Sequence, residues 1–179
     1  MRRGWWRRNM WGLILVVPLA VGLFALNGST AYELHFQQTP QRAVPVDGTG
    51  QAVLDNYSVR VVEIVPVEKT AELKAILEDQ PALPTTVKPW RAIVSFGGPD
   101  RSIRGCKVAL LDNHGREYGP KPSELDALAG NISCLPDDDE QPSPYLSTFY
   151  FLLPTDSRPT ALRITWVLLL PRYVQFPIA

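Results

Sequence analysis

Few residues in the chain are of the types that most often carry catalysis. The 179 residues include two histidines, His35 and His114, and two cysteines. No serine stands in the G-x-S-x-G setting of a nucleophile elbow. His114 lies in the stretch DNHG, whose residues tolerate turn conformations, so an exposed turn histidine is expected there. We therefore predict no catalytic residue and no enzyme activity.

Cofactor and metal motifs are also missing. The stretch FGGPD (Phe96–Asp100) lacks the G-x-x-x-x-G-K-[ST] pattern of a phosphate-binding loop, and its proline removes a backbone donor, so a turn is expected. The acidic stretch DDDE (Asp137–Glu140) has the oxygen ligands that Ca²⁺ prefers, but not the spacing of an EF-hand. A solvated acidic loop is the expected structure, and the sequence predicts no cofactor and no metal site.

An excess of positive charge is missing from the body of the chain. The sequence has 18 lysines and arginines and 18 acidic residues. Four of the arginines, Arg2, Arg3, Arg7 and Arg8, precede the first acidic residue, Glu33. The remainder therefore has 14 basic and 18 acidic residues, a net charge of −4. Nucleic-acid binding requires basic faces that neutralise phosphate, so no nucleic-acid partner is expected.

One long apolar run is present near the N-terminus. Trp11–Leu26 contains only apolar residues, glycine and proline, and no charge occurs in residues 9–32. As a helix, residues 10–31 are long enough to cross a hydrocarbon core of about 30 Å at about 1.5 Å per residue. The arginines in front of the run favour a cytoplasmic location for residues 1–9. We predict a single transmembrane helix over 10–31, with the C-terminal domain outside the cytoplasm.

A cleaved signal peptide is the alternative for the same stretch. A basic segment followed by an apolar run is typical of such signals, and Ser29-Thr30-Ala31 offers the small residues that a peptidase reads. The interfacial positions of Trp5, Trp6 and Trp11 favour an anchor instead. Both interpretations place the rest of the chain outside the cytoplasm.

The remainder divides at a change in composition. Residues 32–51 contain two prolines and the stretch Gly48-Thr49-Gly50, which indicate a linker. Residues 52–179 contain stretches that are rich in β-branched or aromatic residues or that alternate apolar with polar residues, both typical of strands. These stretches are YSVRVVEIV (Tyr57–Val65), WRAIVSF (Trp90–Phe96), the hairpin-like CKVALLDNHGREYG (Cys106–Gly119), STFYFLL (Ser147–Leu153), ALRITWVLLL (Ala161–Leu170) and YVQFPI (Tyr173–Ile178).

Two short stretches have helical spacing. They are TAELKAILED (Thr70–Asp79) and SELDALAG (Ser123–Gly130), each with a residue suited to an N-cap at its start. The 17 prolines of the chain favour short elements and loops. We predict a mainly β fold, an antiparallel immunoglobulin-like β-sandwich with short helical insertions. A layered α+β domain is the alternative.

The two cysteines, Cys106 and Cys134, both follow the apolar run. Outside the cytoplasm such a pair tends to oxidise. No histidine or third cysteine lies close to either one in sequence, and their spacing is not that of a C-x-x-C redox motif. We predict a structural disulfide between Cys106 and Cys134.

The layout resembles that of uncharacterised, single-pass membrane-anchored proteins of actinobacteria, which begin with a short Arg/Trp-rich cytoplasmic tip. The likeness is carried by WWRRNMWGLILVVPLA, GCKVALLDNHGREY, NISC and LRITWVLLLPRYVQF. It implies an extracytoplasmic immunoglobulin-like domain of unknown function. It assigns no catalytic residues.

These features predict a non-enzymatic accessory or protein-interaction module of the cell envelope, tethered to the membrane and meeting a protein partner there. The alternative is a binding module for an envelope glycan or small ligand, which requires exposed aromatic residues such as Trp90 or Trp166 in a groove. An envelope hydrolase is a third hypothesis, which requires His114 or the acids of Asp137–Glu140 to face a cleft.

The fate of the apolar run can be measured directly. We expect the full chain, expressed in a bacterial host, to be found in the membrane fraction with an intact mass that includes Trp5 and Trp11. A shorter soluble species that begins near Tyr32 would show instead that the run is a cleaved signal.

Overall fold

An apolar α-helix begins the part of the chain that the structure describes. The structure is a computed structural model that describes residues 3–67, 83–99, 105–125, 130–138, 140 and 142–178. The chain forms two compact units, residues 1–39 and residues 40–179.

The helix, α1, extends over Arg3–Gln38. Within it, Ile14–Gln38 is the one described segment that is long and apolar enough to span a membrane. The predicted apolar helix is therefore confirmed as a helix, but it continues seven residues beyond the predicted end at residue 31. No proline or glycine interrupts residues 32–38, whereas Pro40 disfavours helical backbone at Thr39. The hydroxyl of Thr39 donates to the carbonyl of His35 (2.9 Å) at this end.

The predicted linker, residues 32–51, is consequently not irregular throughout. Its first residues belong to α1, and a short strand occupies Arg42–Val44. The second unit is mainly β. Its described strands are β1 (Arg42–Val44), β2 (Gln51–Leu54), β3 (Tyr57–Pro66), β4 (Val87–Gly97), β5 (Cys106–Asp112), β6 (Glu117–Tyr118), β7 (Tyr145–Pro154), β8 (Pro159–Trp166) and β9 (Arg172–Pro177).

These strands form two sheets. The first has the order β1-β9-β8-β5-β6 and the second the order β2-β3-β4-β7. All described pairings are antiparallel, as predicted, except that β1 runs parallel to β9. The exception falls in the segment where a linker was expected.

The alternating strand patterns place apolar side chains on one face of each sheet. Along β7 every second residue from Tyr145 to Leu153 is buried, and along β8 Leu162, Ile164 and Trp166 are buried. Buried residues of both sheets belong to one cluster, so the sheets pack face to face around a shared core. The largest fully buried side chains are Trp166, Tyr145, Phe96, Phe149 and Phe151.

The predicted strand ALRITWVLLL is wrong in its second half. β8 ends at Trp166, and Val167–Leu169 form a 3₁₀ turn. Leu168, which the alternation placed on the core face, is exposed. Its strand neighbour β5 begins at Cys106, which pairs with Trp166, and beyond that point the described contact with the β5 side is one hydrogen bond from the amide of Val167 to the carbonyl of Gly105.

The two predicted helices are described only in part. Thr70–Asp79 lies outside the described residues. In the second stretch, Ser123–Leu125 form a 3₁₀ turn, and residues 126–129 lie outside the described part of the chain.

Cys106 and Cys134 lie at disulfide-bonding distance, with Cα atoms 5.7 Å apart. Cys106 opens β5 in the first sheet. Cys134 belongs to a segment that runs beside β7 of the second sheet, where the hydroxyl of Tyr145 donates to its carbonyl (2.9 Å). Burial raises the pKa of Tyr145 to about 12. The pair therefore joins the first sheet to the segment that runs beside β7 of the second sheet.

Reduction should destabilise the domain. The cysteines are 28 residues apart, and closing a loop of that length stabilises the folded state by about 3–4 kcal/mol through chain entropy. We expect dithiothreitol to lower the free energy of unfolding by about that amount, measured by urea denaturation of the detergent-solubilised chain.

The double variant Cys106→Ser/Cys134→Ser is the matched control, because the sequence has no other cysteine. Its denaturation curve should not respond to dithiothreitol. If the parent chain does not respond either, the pair is not bridged.

Candidate functional site

An open groove lies between β3 of the second sheet and the end of β9 in the first. Its volume is about 390 Å³. Its lining is apolar apart from Glu63 and one backbone position at Gly50, and the apolar side chains include Val46, Val61, Val62, Ile64, Phe176 and Ile178. Val46, Val61, Ile64 and Ile178 are half-buried and pack against the core, so the groove gives solvent access to the core between the sheets.

The groove exists because β2 is much shorter than β3. β2 has four residues and pairs only with Tyr57–Arg60. β3 continues to Pro66, and on the β2 side no described strand pairs with residues 61–66. This stretch, which we call the β3 edge, therefore presents backbone donors and acceptors beside an apolar surface.

A β-bulge shapes the β3 edge. The register with β4 shifts between Val61, opposite Val94, and Glu63, opposite Ile93. Val62 is the extra residue and is 55% exposed. Glu63 accepts a hydrogen bond from Arg91 on β4 (2.9 Å), which holds the carboxylate on the outer face of the sheet.

The opposite edge of the same sheet is covered. Three backbone amides from one connecting segment donate to successive outward carbonyls of β7, with Lys121 bonded to Tyr150 (2.7 Å), Asn131 to Thr148 (2.8 Å) and Asp137 to Leu146 (2.9 Å). Covering of this kind protects an edge strand from adding another strand. The contrast makes the β3 edge the accessible one in the described part of the second sheet.

A second site, which unlike the groove is polar, lies in the hairpin turn between β5 and β6. The carboxylate of Asp112 is buried and accepts hydrogen bonds from the backbone amides of His114 and Arg116 (both 2.9 Å). It also accepts from Nε of Arg116 (2.8 Å) and from the hydroxyl of Tyr118 (3.0 Å). Burial alone would raise the pKa of Asp112, but these hydrogen bonds outweigh it and hold the pKa well below its usual range.

We call Asp112 and the residues bonded to it, His114, Arg116 and Tyr118, the Asp112 cluster. The cluster connects this hairpin to the turn between β7 and β8. Arg116 donates to the hydroxyl of Ser157 (2.6 Å). The backbone amide of Asn113 donates to the carbonyl of Arg158, and the amide of Arg158 donates to Oδ1 of Asn113 (both 3.0 Å). These hydrogen bonds join groups within the protein, so the cluster stabilises the contact between the two turns.

His114 is exposed, as expected for a turn residue, but it is not isolated. Its Nδ1 lies 3.6 Å from Asp112 and 3.2 Å from Arg116. An aspartate, a histidine and a serine thus meet at one end of the domain, which sequence reasoning did not find. The guanidinium of Arg116, not the imidazole, contacts Ser157, so the geometry differs from a nucleophile–base–acid relay.

In the described part of Asp137–Glu140, the carboxylates do not gather around one point. Asp137 is turned toward β7, where it accepts from the amide (2.8 Å) and hydroxyl (2.7 Å) of Thr148. It also accepts from the side chain of Asn131 (2.8 Å). No group of three potential metal ligands occurs among the described residues.

The two tryptophans considered for ligand stacking are both used in packing. Trp166 is 1% exposed, and Trp90 is half-buried against the core with Nζ of Lys88 5.8 Å from its ring centroid. Within the FGGPD stretch, Phe96 and Gly97 end β4 and Gly98–Pro99 form a bend, where a Cβ on Gly98 would collide with the ring of Tyr57. Its described residues therefore serve close packing.

Comparison with protein-family models, with curated proteins and with solved structures returned no match to this chain.

Loss of the Asp112 charge should destabilise the domain in a pH-dependent way. Because the folded-state pKa of Asp112 is lowered, its stabilising effect is present above the unfolded pKa of about 3.9 and is lost as pH falls toward the folded value. We expect Asp112→Asn to lower the melting temperature at neutral pH, and the difference from the parent chain to shrink below about pH 4.

Glu117→Gln is the control, because Glu117 lies on β6 of the same hairpin and forms a partly exposed ion pair with Arg163 of β8. It should change the melting temperature little at any pH. Equal effects of both substitutions would contradict a special role for Asp112.

Proposed function

We propose that the chain is a non-enzymatic, membrane-anchored interaction module of the cell envelope. In this proposal α1 crosses the cell membrane once, with its basic start in the cytoplasm and residues 40–179 outside. The length and apolar composition of Ile14–Gln38 support the tether, and the preceding arginines support the orientation. The cysteine pair at bonding distance supports an oxidising compartment.

We propose further that the groove beside the β3 edge binds an extended segment of a partner protein as an added strand. The carrying observation is the coincidence of strand-edge backbone groups at residues 61–66 with an apolar groove that is lined by four of those residues, 61–64. In strand addition, backbone hydrogen bonds supply affinity and pockets for alternate side chains supply specificity. An extended segment with apolar residues at alternate positions fits both features.

The Glu63–Arg91 pair bears on the charge of the partner. Both side chains are partly exposed on the outer face of the sheet, beside the proposed added strand. Their charges compensate each other, so a partner segment needs no particular charge next to them. Selection would therefore rest on apolar side chains and on shape.

A glycan or small ligand is the alternative occupant. The cavity volume lies within the usual range for small-molecule sites, but such sites hold a few convergent polar side chains. The groove lining contains one ionisable residue, Glu63, whose carboxylate Arg91 holds on the outer face of the sheet, and its described aromatic residue, Phe176, is almost fully buried. These features favour the peptide.

We also propose that the two sheets form an immunoglobulin-like sandwich. In such domains strands A, B and E belong to one sheet and strands C, F and G to the other. The orders β3-β4-β7 and β5-β8-β9 match these sets if β3 corresponds to strand A. The cysteine pair does not join β4 to β8, so it is not the bridge between strands B and F of antibody domains. This proposal agrees with the resemblance to anchored actinobacterial proteins.

A matched pair of valines tests the groove. Val62 in the groove is 55% exposed and Val53 on β2 is 56% exposed and lies outside the groove lining. A displayed library of random peptides would be selected against the detergent-solubilised chain, and binding measured by fluorescence anisotropy. We expect enriched peptides with alternating apolar residues, and an affinity lowered about tenfold or more by Val62→Asp, because a carboxylate would be desolvated.

Val53→Asp should leave the affinity unchanged. If no peptide is enriched, or if both substitutions weaken binding equally, the groove is not the binding site. Displacement of a selected peptide from the groove by a glycan or small ligand would favour the alternative occupant.

A further inference from the structure

Two exposed apolar residues stand at the tip between β8 and β9. Val167 is 63% exposed and Leu168 is 83% exposed, directly after the fully buried Trp166. The backbone amide of Val167 donates to the carbonyl of Gly105 (3.0 Å), so the start of the tip is held against the beginning of β5. We call Val167–Leu168 the apolar tip.

The apolar tip lies at the end of the domain where the chain enters from α1. The backbone amides of Gln41 and Arg42 both donate to the carbonyl of Pro171 (2.8 and 3.0 Å), just beyond the tip. α1 ends at Gln38, three residues before Gln41. Three residues of extended chain span at most about 11 Å.

We propose that the apolar tip inserts into the interface of the membrane that α1 crosses. This inference rests on the membrane tether of the proposed function, but not on the peptide groove. Exposed valine and leucine side chains lower the free energy when they leave water for the boundary between headgroups and acyl chains. The short connection to α1 keeps them near that boundary at no further cost in chain entropy.

The charges beside the apolar tip suit an anionic lipid surface. Arg42 is exposed and shares the carbonyl of Pro171 with Gln41, and the exposed Lys107 lies opposite Thr165 at the end of β8. Asp55, also at this end, is paired through both oxygens with Arg172 (3.0 Å each). Basic side chains next to a small apolar insertion are typical of surfaces that bind the membrane interface.

Photo-crosslinking from lipid tests the inference on the full chain. The protein would be reconstituted into vesicles of equimolar phosphatidylglycerol and phosphatidylethanolamine that contain a lipid with a photoreactive group near the glycerol backbone. Trypsin cleaves after Arg163 and Arg172, so the apolar tip is contained in one peptide, residues 164–172. We expect crosslinks on this peptide and on α1, and loss of the former in Leu168→Glu.

Val62→Glu is the matched control, since Val62 is also an exposed valine but lies in the groove. It should retain the crosslinks on residues 164–172. Crosslinks on α1 alone would overturn the lipid contact and leave the tether standing. Crosslinks on neither would overturn both, and equal loss in the two variants would also contradict a contact made by Leu168.

Discussion

Face-to-face burial of the two sheets is the constraint on which the rest of the domain depends. Each inner face is a regular set of alternating side chains, and aromatic rings from β4 and β7 fill the space between the sheets. Phe96 packs against Phe149 edge to face at 6.4 Å and against Tyr145 at 5.8 Å. Because this core must be closed on every side, the way in which each side is closed decides what remains accessible.

The sides are closed by different interactions. The cysteine pair joins the first sheet to the segment beside β7, and that segment also covers the β7 edge. The ion pair of Asp55 with Arg172 joins the turn after β2 to β9 in the other sheet. The Asp112 cluster closes the opposite end of the domain, where the turn between β5 and β6 contacts the turn between β7 and β8. Beside residues 61–64 of β3, where β2 no longer pairs with β3, no comparable interaction occurs among the described residues. The groove is found there.

The distribution of accessible features agrees with the proposed tethered binding module. The apolar tip lies at the end from which the chain continues into α1, whereas the Asp112 cluster lies at the other end of β5 and β8. The groove lies nearer the Asp112 cluster, because Pro177 in its lining pairs with Ala161 near the start of β8 and the amide of Ile178 donates to the carbonyl of Thr160. In the proposed arrangement, contact of the apolar tip with the membrane would leave the groove open to a partner.

Local pattern determined much of this protein. The uncharged run near the N-terminus predicted one apolar helix, strict alternation around Phe96, Phe149 and Ile164 predicted strands and core, and the turn residues after Asp112 predicted a hairpin. These features depend on neighbours in sequence, for which spacing is sufficient information. The end of β8 was predicted wrongly because apolar residues continue past Trp166, while a strand ends where its neighbour ends.

Tertiary structure alone decided the rest. Whether Val62 and Leu168 face solvent depends on the length of β2 and on the point where β5 begins, both properties of distant segments. The burial of Asp112 depends on the meeting of two hairpin turns whose key residues, Arg116 and Ser157, are 41 positions apart. Sequence spacing determines which side chains share a strand face, but exposure and pairing are set by what the fold brings next to that face.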